Sequence, residues 1–556
     1  MSSAITRCTI LASVASVLTA PWASAQCALG KETFPLDPSP NSAFGYAVAV
    51  HADRIAAGAY LFDGLYPDMG AAYVFERGAG TPGGWAQIRK FTGNFSSLAF
   101  FGVGVAVQGE TVAIGLPDDF LAGKVRVYEK DLGGPGFWGF GLLTPSITPS
   151  DGFGFDVSLE ADTLLVGGSS LAAYVFERTG PGVWSETKPL IGSAAKVGDS
   201  YSISSALSGD TALVGSSRSD VCDFQSGAVY VFERNLGGPD NWGESHIICP
   251  SDPSFEDRFG DGVAIDGDTA VVSSFLEDSQ AFDGGAVYVF YRDLGGPGNW
   301  GEVTKITVSD GGDDDWFGRG RSLAIQDDIL LVGATGHDAA GADAGAVYVF
   351  QRDYPAPDAW GQIGKINGFR PGQEFGAAIA IDGDVTVIGA PKDDTFGPEA
   401  GAVYVFEQPW TLGGLVTYCT AGTSAAGCQA LLSATGTASA SLPSGFLLQA
   451  DEVEGLRDGV FFFGTSGQQA NSWGSGTSYQ CVVPPVKRAS LMIGTGTAFQ
   501  CDGVFTLDLN AHWTQKPNHN PGAGAVVQTQ LWYRDPFNTS NQTTSLSEAG
   551  EFGVCP

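Results

Sequence analysis

The sequence predicts an all-β protein, a seven-bladed β-propeller followed by a smaller β-rich, sandwich-like domain. Two short motifs each recur seven times, at gaps of roughly 50–60 residues, the length of a four-stranded blade. Glycine makes up 79 of 556 residues and charged residues only 16%, the composition of a turn-rich β chain rather than a disordered or coiled one. Asp-Gly and Ser-Gly pairs fall between β-branched runs, which is a hairpin signal.

The first motif is an aromatic followed by glycine or serine at the head of an apolar run. It begins at Phe44, Phe101, Phe153, Tyr201, Phe259 and Phe375, with a further copy from Arg319. The aligned small residues are Gly45, Gly102, Gly154, Ser202, Gly260, Gly320 and Gly376; Phe317-Gly318 reads as a two-residue slip of the motif. The second motif is an AVYVF-like run centred on Tyr73, Tyr128, Tyr174, Tyr230, Tyr288, Tyr348 and Tyr404.

Each unit reads as four strands. The run after the aromatic is the first, and a tight turn such as Asp266–Asp268, Asp382–Asp384 or Ser208–Asp210 leads to the second. A variable loop precedes the AVYVF strand. A Leu-Gly-Gly-Pro turn at Leu132, Leu236 or Leu294 then leads to an outer strand opened by tryptophan, at Trp85, Trp138, Trp184, Trp242, Trp300 and Trp360. The last unit has no such strand. The segment LGKETFPLDPSP ahead of Phe44 resembles the missing one, so the N-terminal segment is expected to close the ring and remove its open edges. The propeller is expected over 26–410 and the second domain over 413–556.

These units resemble the FG-GAP repeats of integrin α-chain head domains. The residues that carry the resemblance are the Phe-Gly pairs, Gly389-Ala390-Pro391 with its echoes Gly115-Leu116-Pro117, Gly58-Ala59-Tyr60 and Gly333-Ala334-Thr335, and the GAVYVF strand. The resemblance covers roughly 27–410. It implies an integrin-α-like propeller, a scaffold for an extracellular ligand. Many such repeats carry a calcium loop between the first two strands. Here that turn is only DGD, SGD, EAD or QDD, too few oxygens for an ion that takes six to eight. No cofactor is expected, and calcium is left open elsewhere.

The N-terminus has Arg7, an apolar run from Cys8 to Ala20, and the small-x-small pattern Ala23-Ser24-Ala25. It reads as a leader spanning 1–25, cleaved after Ala25. Eight cysteines follow, an even number that favours disulfides in an exported chain; Cys222 and Cys249 are the preferred pair because both fall in repeat loops and lie close in sequence. The net charge of −33 argues against nucleic acid as a partner. No later stretch is apolar enough to cross a membrane, and a secreted or surface-associated monomer is expected. Asn94, Asn538 and Asn541 head glycosylation sequons.

Candidate site residues come from breaks in the repeat. Asp156, Asp261 and Arg321 stand where other first strands have small or apolar residues, and first strands line the channel of a propeller. Polar channel walls are the plainer reading of all three. Asp310, Asp313, Asp314 and Asp315 form SDGGDDDW, which reads either as a cation site or as a solvated inter-blade loop. Glu-Arg pairs such as Glu233-Arg234 recur at strand ends, and recurrence argues for a structural role. Five scattered histidines and no G-x-S-x-G, H-E-x-x-H or P-loop leave catalysis without a motif. The expectation is a non-enzymatic binding or adhesion protein for an extracellular protein or glycan. The alternatives are a structural surface protein and a propeller hydrolase or lyase.

Overall fold

The chain is described by a computed structural model over 31–554, except 79–83, 94–98, 118–122, 148–151, 169–171, 339, 354–355, 408–415, 419–420, 437, 473–478, 523–524 and 536–543. The expected leader and its cleavage site, Cys27, Cys419, Cys555, the three sequons and the junction between the expected domains lie outside the described residues.

Seven four-stranded antiparallel sheets follow one another along the chain. Blade five shows the pattern, with strands Phe259–Asp266, Thr269–Ser274, Ala286–Arg292 and Trp300–Ile306 in that order. Blades one to four comprise 44–92, 105–143, 156–190 and 201–248, and blade six comprises 323–367. Blade seven takes Ala378–Asp382, Val385–Ala390 and Ala402–Glu407 from the end of the repeats, and Lys31–Thr33 as its outer strand, with Glu32 opposite Tyr404. The first strand of each blade touches that of the next, and the seventh touches the first. The sheets therefore form a closed seven-bladed propeller.

Stacking of sheets on both sides explains the composition of the middle strands. Thr269–Ser274 is buried at every position, as are the first five residues of Ala286–Arg292, so they read as unbroken apolar runs rather than alternating ones. One core cluster joins Val271, Val287 and Val289 of blade five to Leu330, Val332, Tyr348 and Phe350 of blade six. Another joins Ile55, Tyr73 and Phe75 of blade one to Val385, Val387, Val403 and Val405 of blade seven.

The two glycine signatures meet between blades. A Cβ placed on Gly58 would lie 1.9 Å from the carbonyl oxygen of Gly102, and one on Gly389 would lie 1.9 Å from that of Gly45. The glycine that ends a second strand thus seats the Phe-Gly backbone of the following blade, and the Gly389–Gly45 contact closes the ring. Gly45 and Gly102 themselves sit at φ +90° and +92°, where a side chain is strained.

Blade six corrects the alignment. Phe317, not Arg319, occupies the aromatic site. It is fully buried and packs edge-on to Tyr348 at 5.6 Å, as Phe259 packs on Tyr288 at 5.5 Å. Gly318 has φ +89°, matching Gly260 at +88°, whereas Gly320 has φ +59°. Phe317 bridges Ala334 as Phe44 pairs with Ala59, but the next pairing is Leu323 with Val332 rather than a counterpart of Val48 with Ala57. The apparent slip is a two-residue insertion after Phe-Gly, which displaces Arg319–Arg321 from the strand into the channel.

The turns between first and second strands carry a ring of inter-blade bonds. The Asp266 carboxylate accepts from the Asp327 amide, Asp382 from Ala52, Glu160 from Gly209 at 2.7 Å, and Gln326 from Gly383 at 2.9 Å. Asp266, Asp382 and Glu160 are thus committed to neighbouring backbone N–H groups, while Asp210, Asp268 and Asp328 pair with Arg234, Arg292 and Arg352.

Beyond the repeats, one sheet orders Val416–Tyr418, Thr544–Gly553, Val526–Arg534, Asp458–Gly464 and Lys487–Arg488; another orders Leu431–Gly436, Phe446–Val453 and Gly503–Asp508. They share a core in which Leu432, Phe446 and Leu448 meet Phe461, Phe463, Leu531 and Phe552, the packing of a sandwich. The sequence pattern did not anticipate the helix Leu509–Gln515, whose N-cap Asp508 accepts from the Ala511 amide at 2.9 Å. Disulfides join Cys222 to Cys249 and Cys428 to Cys501.

Candidate functional site: the central channel and its loop face

First strands wall a cavity of 350 Å³ at the centre of the ring, and its lining contains Asp156, Asp261 and Arg321. Each plays a different part. Asp156, on blade three, accepts from the backbone amide and the hydroxyl of Ser205 on blade four, at 2.7 and 2.9 Å. Asp261, on blade five, accepts from the Gly320 amide of the blade-six insertion at 2.9 Å. Burial pushes its carboxyl up, opposed by that amide and by Arg319, Arg258 and Arg321.

Arg321 crosses the channel. Its guanidinium lies over Tyr46 of blade one at 5.3 Å and over Phe155 of blade three at 4.7 Å. It donates to the Phe155 carbonyl and sits 3.8 Å from Asp156. Cation–π contacts and an ion pair in a narrow channel fix this arginine as a cross-brace.

The channel opens into a second hollow of 430 Å³, lined by Tyr46, Tyr60, Trp316, Arg319, Glu374 and Lys392 among others. This mouth belongs to the face built from the loops before the first strands and those between second and third strands. Tyr46 and Tyr60 pack at 4.3 Å, and Phe100 lies 5.9 Å beyond Tyr60. Burial, Tyr46 and Glu374 hold the Tyr60 phenol up at about 12. Lys392 pairs with Glu374 at 2.7 Å.

One frame supplies the variable positions. The residue before each first-strand aromatic has left-handed backbone, with φ from +50° to +84°, and is in turn Ala43, Phe100, Gly152, Ser200, Arg258, Trp316 and Glu374. The backbone repeats while the side chain does not. Arg319 stacks on Trp316 at 4.8 Å and Phe275 at 5.7 Å. Arg258 is held below the usual arginine range by burial and by Arg218. The sequence reading missed this cluster, because Arg218 and Arg258 are single arginines in separate loops whose proximity only the ring reveals.

The acidic stretch is not gathered around one point. Asp310 accepts from Lys365 at 2.6 Å and from the Tyr348 hydroxyl at 3.1 Å. Asp313 accepts from the Phe282 amide at 3.0 Å, and Asp314 has φ +61°. Asp315 is buried and accepts from the Gly312 amide at 2.8 Å; it meets His337 Nδ1 at 2.8 Å, while Lys365 reaches His337 Nε2 at 2.6 Å. Blade five has Glu277 where blade six has His337, bridged by Lys305 at 2.8 Å to Asp252 and at 2.8 Å to Glu277. These are tie-points between loops. Among the described residues, no three His, Cys, Asp or Glu side chains are grouped to hold a metal ion.

Comparison with known proteins agrees with this architecture. The family model described as "FG-GAP repeat" matches 34–75, 184–232, 242–290, 300–350 and 360–406. No curated protein is a match. Among solved structures, the computationally designed Ika8 protein is similar, at 14% identity over 67% of this chain and 98% of that one, with a TM-score of 0.37 that is too low to bear on the fold. Aromatic-glycine pairs seated on the glycines of preceding blades, together with five matched units, show that this chain carries FG-GAP repeats and that these repeats form blades of the propeller.

Proposed function

We propose that the protein is an exported, non-enzymatic binding or adhesion protein whose propeller holds out its loop face to an extracellular protein or glycan. One observation carries this reading. At seven equivalent positions on that face the backbone is the same, yet the side chains run from alanine to arginine, tryptophan and glutamate. Six of these residues are not glycine in a conformation that favours it, so side chains are kept there at a conformational cost. Two disulfides are compatible with an oxidising compartment.

The test is to screen purified full chain against glycan and surface-protein arrays, with and without calcium. The expected result is selective retention of one class, reduced when Trp316 and Arg319 are replaced together. Retention of nothing, or of everything equally, overturns the proposal.

A further inference from the structure

We propose that the sector of the loop face over blades four to six binds a carboxylate-bearing polysaccharide, with Arg218, Arg258 and Arg319 taking its acid groups. This rests on the binding reading above and names the chemistry of the partner. Among the described residues, no carboxylate lies within ion-pair distance of these three arginines. That contrasts with Arg77, Arg178, Arg234 and Arg292, all bound to glutamates between blades. In a chain of net charge −33, and in loops that also hold Asp220, Asp223, Glu256 and Asp257, guanidinia outside ion-pair distance of an acid stand apart from the paired arginines between blades. Glu256 and Asp261 act on Arg258 only at longer range, and Asp261 is already bonded to Gly320.

Aromatic rings accompany the charges. Phe224 and Phe255, in the same two loops as Arg218 and Arg258, stack at 5.5 Å with planes 5° apart; they remain 59% and 55% exposed. Phe275 and Trp316 flank Arg319 at the inner end. Flat apolar plates beside planar cations suit a chain of sugar rings: their C–H faces lie on the plates and their carboxylates enter the guanidinium forks. At the inner end the hollow is 430 Å³, a size that takes a small ligand group. The overall acidity disfavours a nucleic acid for the same anion-binding groups.

The experiment titrates the full chain with oligogalacturonate. Its methyl ester is the uncharged arm, a heparin oligosaccharide the sulfated arm, and poly-aspartate the peptide arm. The variants are Arg218→Ser with Arg258→Ser, and Arg319→Ser; Ser200 already occupies the backbone position of Arg258 in blade four, so serine fits there. Saturable, salt-weakened binding of the acid oligomer is expected, with about tenfold lost per arginine removed. Equal binding of the ester, stronger binding of the sulfated or peptide arm, no saturable binding, or unchanged affinity in folded variants overturns the inference. If a variant does not fold, protection of Arg258 from phenylglyoxal by the oligomer is measured on the unaltered chain by mass spectrometry, and absence of protection counts against it. The broader reading is scored separately. A neutral glycan or protein retained alike by parent and variants leaves that reading standing while this inference falls, whereas no partner of any kind removes both.

Discussion

A Cβ on Gly45 would lie 2.4 Å from the Ala402 carbonyl oxygen, at φ +90°, so neither the neighbouring blade nor the residue's own backbone has room for a methyl group. Gly45→Ala is expected to destabilise by at least about 2 kcal/mol, read from the midpoint of chemical unfolding. Blade four shows what tolerance requires. Ser202 holds the same place at φ +60°, with its hydroxyl accepting from the Gly168 amide at 3.0 Å and donating to the Gly168 and Ala172 carbonyls. A second test concerns Asp257, which precedes Phe259 as Asp315 precedes Phe317. Asp315 meets a histidine, but Asp257 faces Glu277, and burial together with Glu277 raises its carboxyl to about 6. A carboxyl that holds its proton more tightly when folded stabilises the fold at low pH. That stabilisation is lost as pH rises from about 4 to about 6, by up to roughly 3 kcal/mol. Asp257→Asn is expected to stabilise the protein at pH 7 and to flatten the pH dependence of its melting temperature in that window. An unchanged slope would remove the argument.

Third strands carry most of the electrostatic traffic between blades. Arg77 binds Glu407 at 3.0 Å, Arg178 binds Glu129 at 2.7 Å, Arg234 binds Glu177 at 3.0 Å and Arg292 binds Glu233 at 2.7 Å. Three of these four arginines also stack on an outer-strand tryptophan, Arg77 on Trp85 at 5.3 Å, Arg234 on Trp242 at 5.1 Å and Arg292 on Trp300 at 5.0 Å. Glu407→Gln removes the charge that both Arg77 and the Trp85 indole N–H meet, the latter at 2.7 Å, and is expected to cost about 1–2 kcal/mol in a thermal melt. Cys222 and Cys249 close a loop with a sequence separation of 27, and replacing both with serine is expected to cost about 3 kcal/mol in denaturant unfolding. Much of this was legible in the sequence because it recurs. Repetition marked the Phe-Gly, AVYVF, Glu-Arg and Trp positions, and breaks in it marked Asp156, Asp261 and Arg321. Blade six misled because Arg319-Gly320 mimics the motif it follows, and only strand register separates an insertion from a slip. The arginine sector was invisible for another reason: Arg218, Arg258 and Arg319 are far apart in sequence and meet only through curvature. Leu509–Gln515 is two turns long, too short for its period to stand out.

At the scale of the whole molecule, closure is the defining property, since seven four-stranded sheets leave no third strand unpaired to recruit another chain. Deleting residues 26–37 bares the outer side of Ala402–Glu407 and is expected to yield dimers or larger species in size-exclusion chromatography; a stable monomer from that deletion would show that the short strand contributes little. The same pairing bears on how the disc would respond to tension. Lys31 lies opposite Val405, so the chain enters and leaves the propeller side by side on one rim. A pull applied through both ends therefore bypasses six blades and falls on a three-residue ladder, opening it one bond at a time rather than shearing all at once. Under drag the seventh blade is the designated weak seam, and the other six remain folded while it parts.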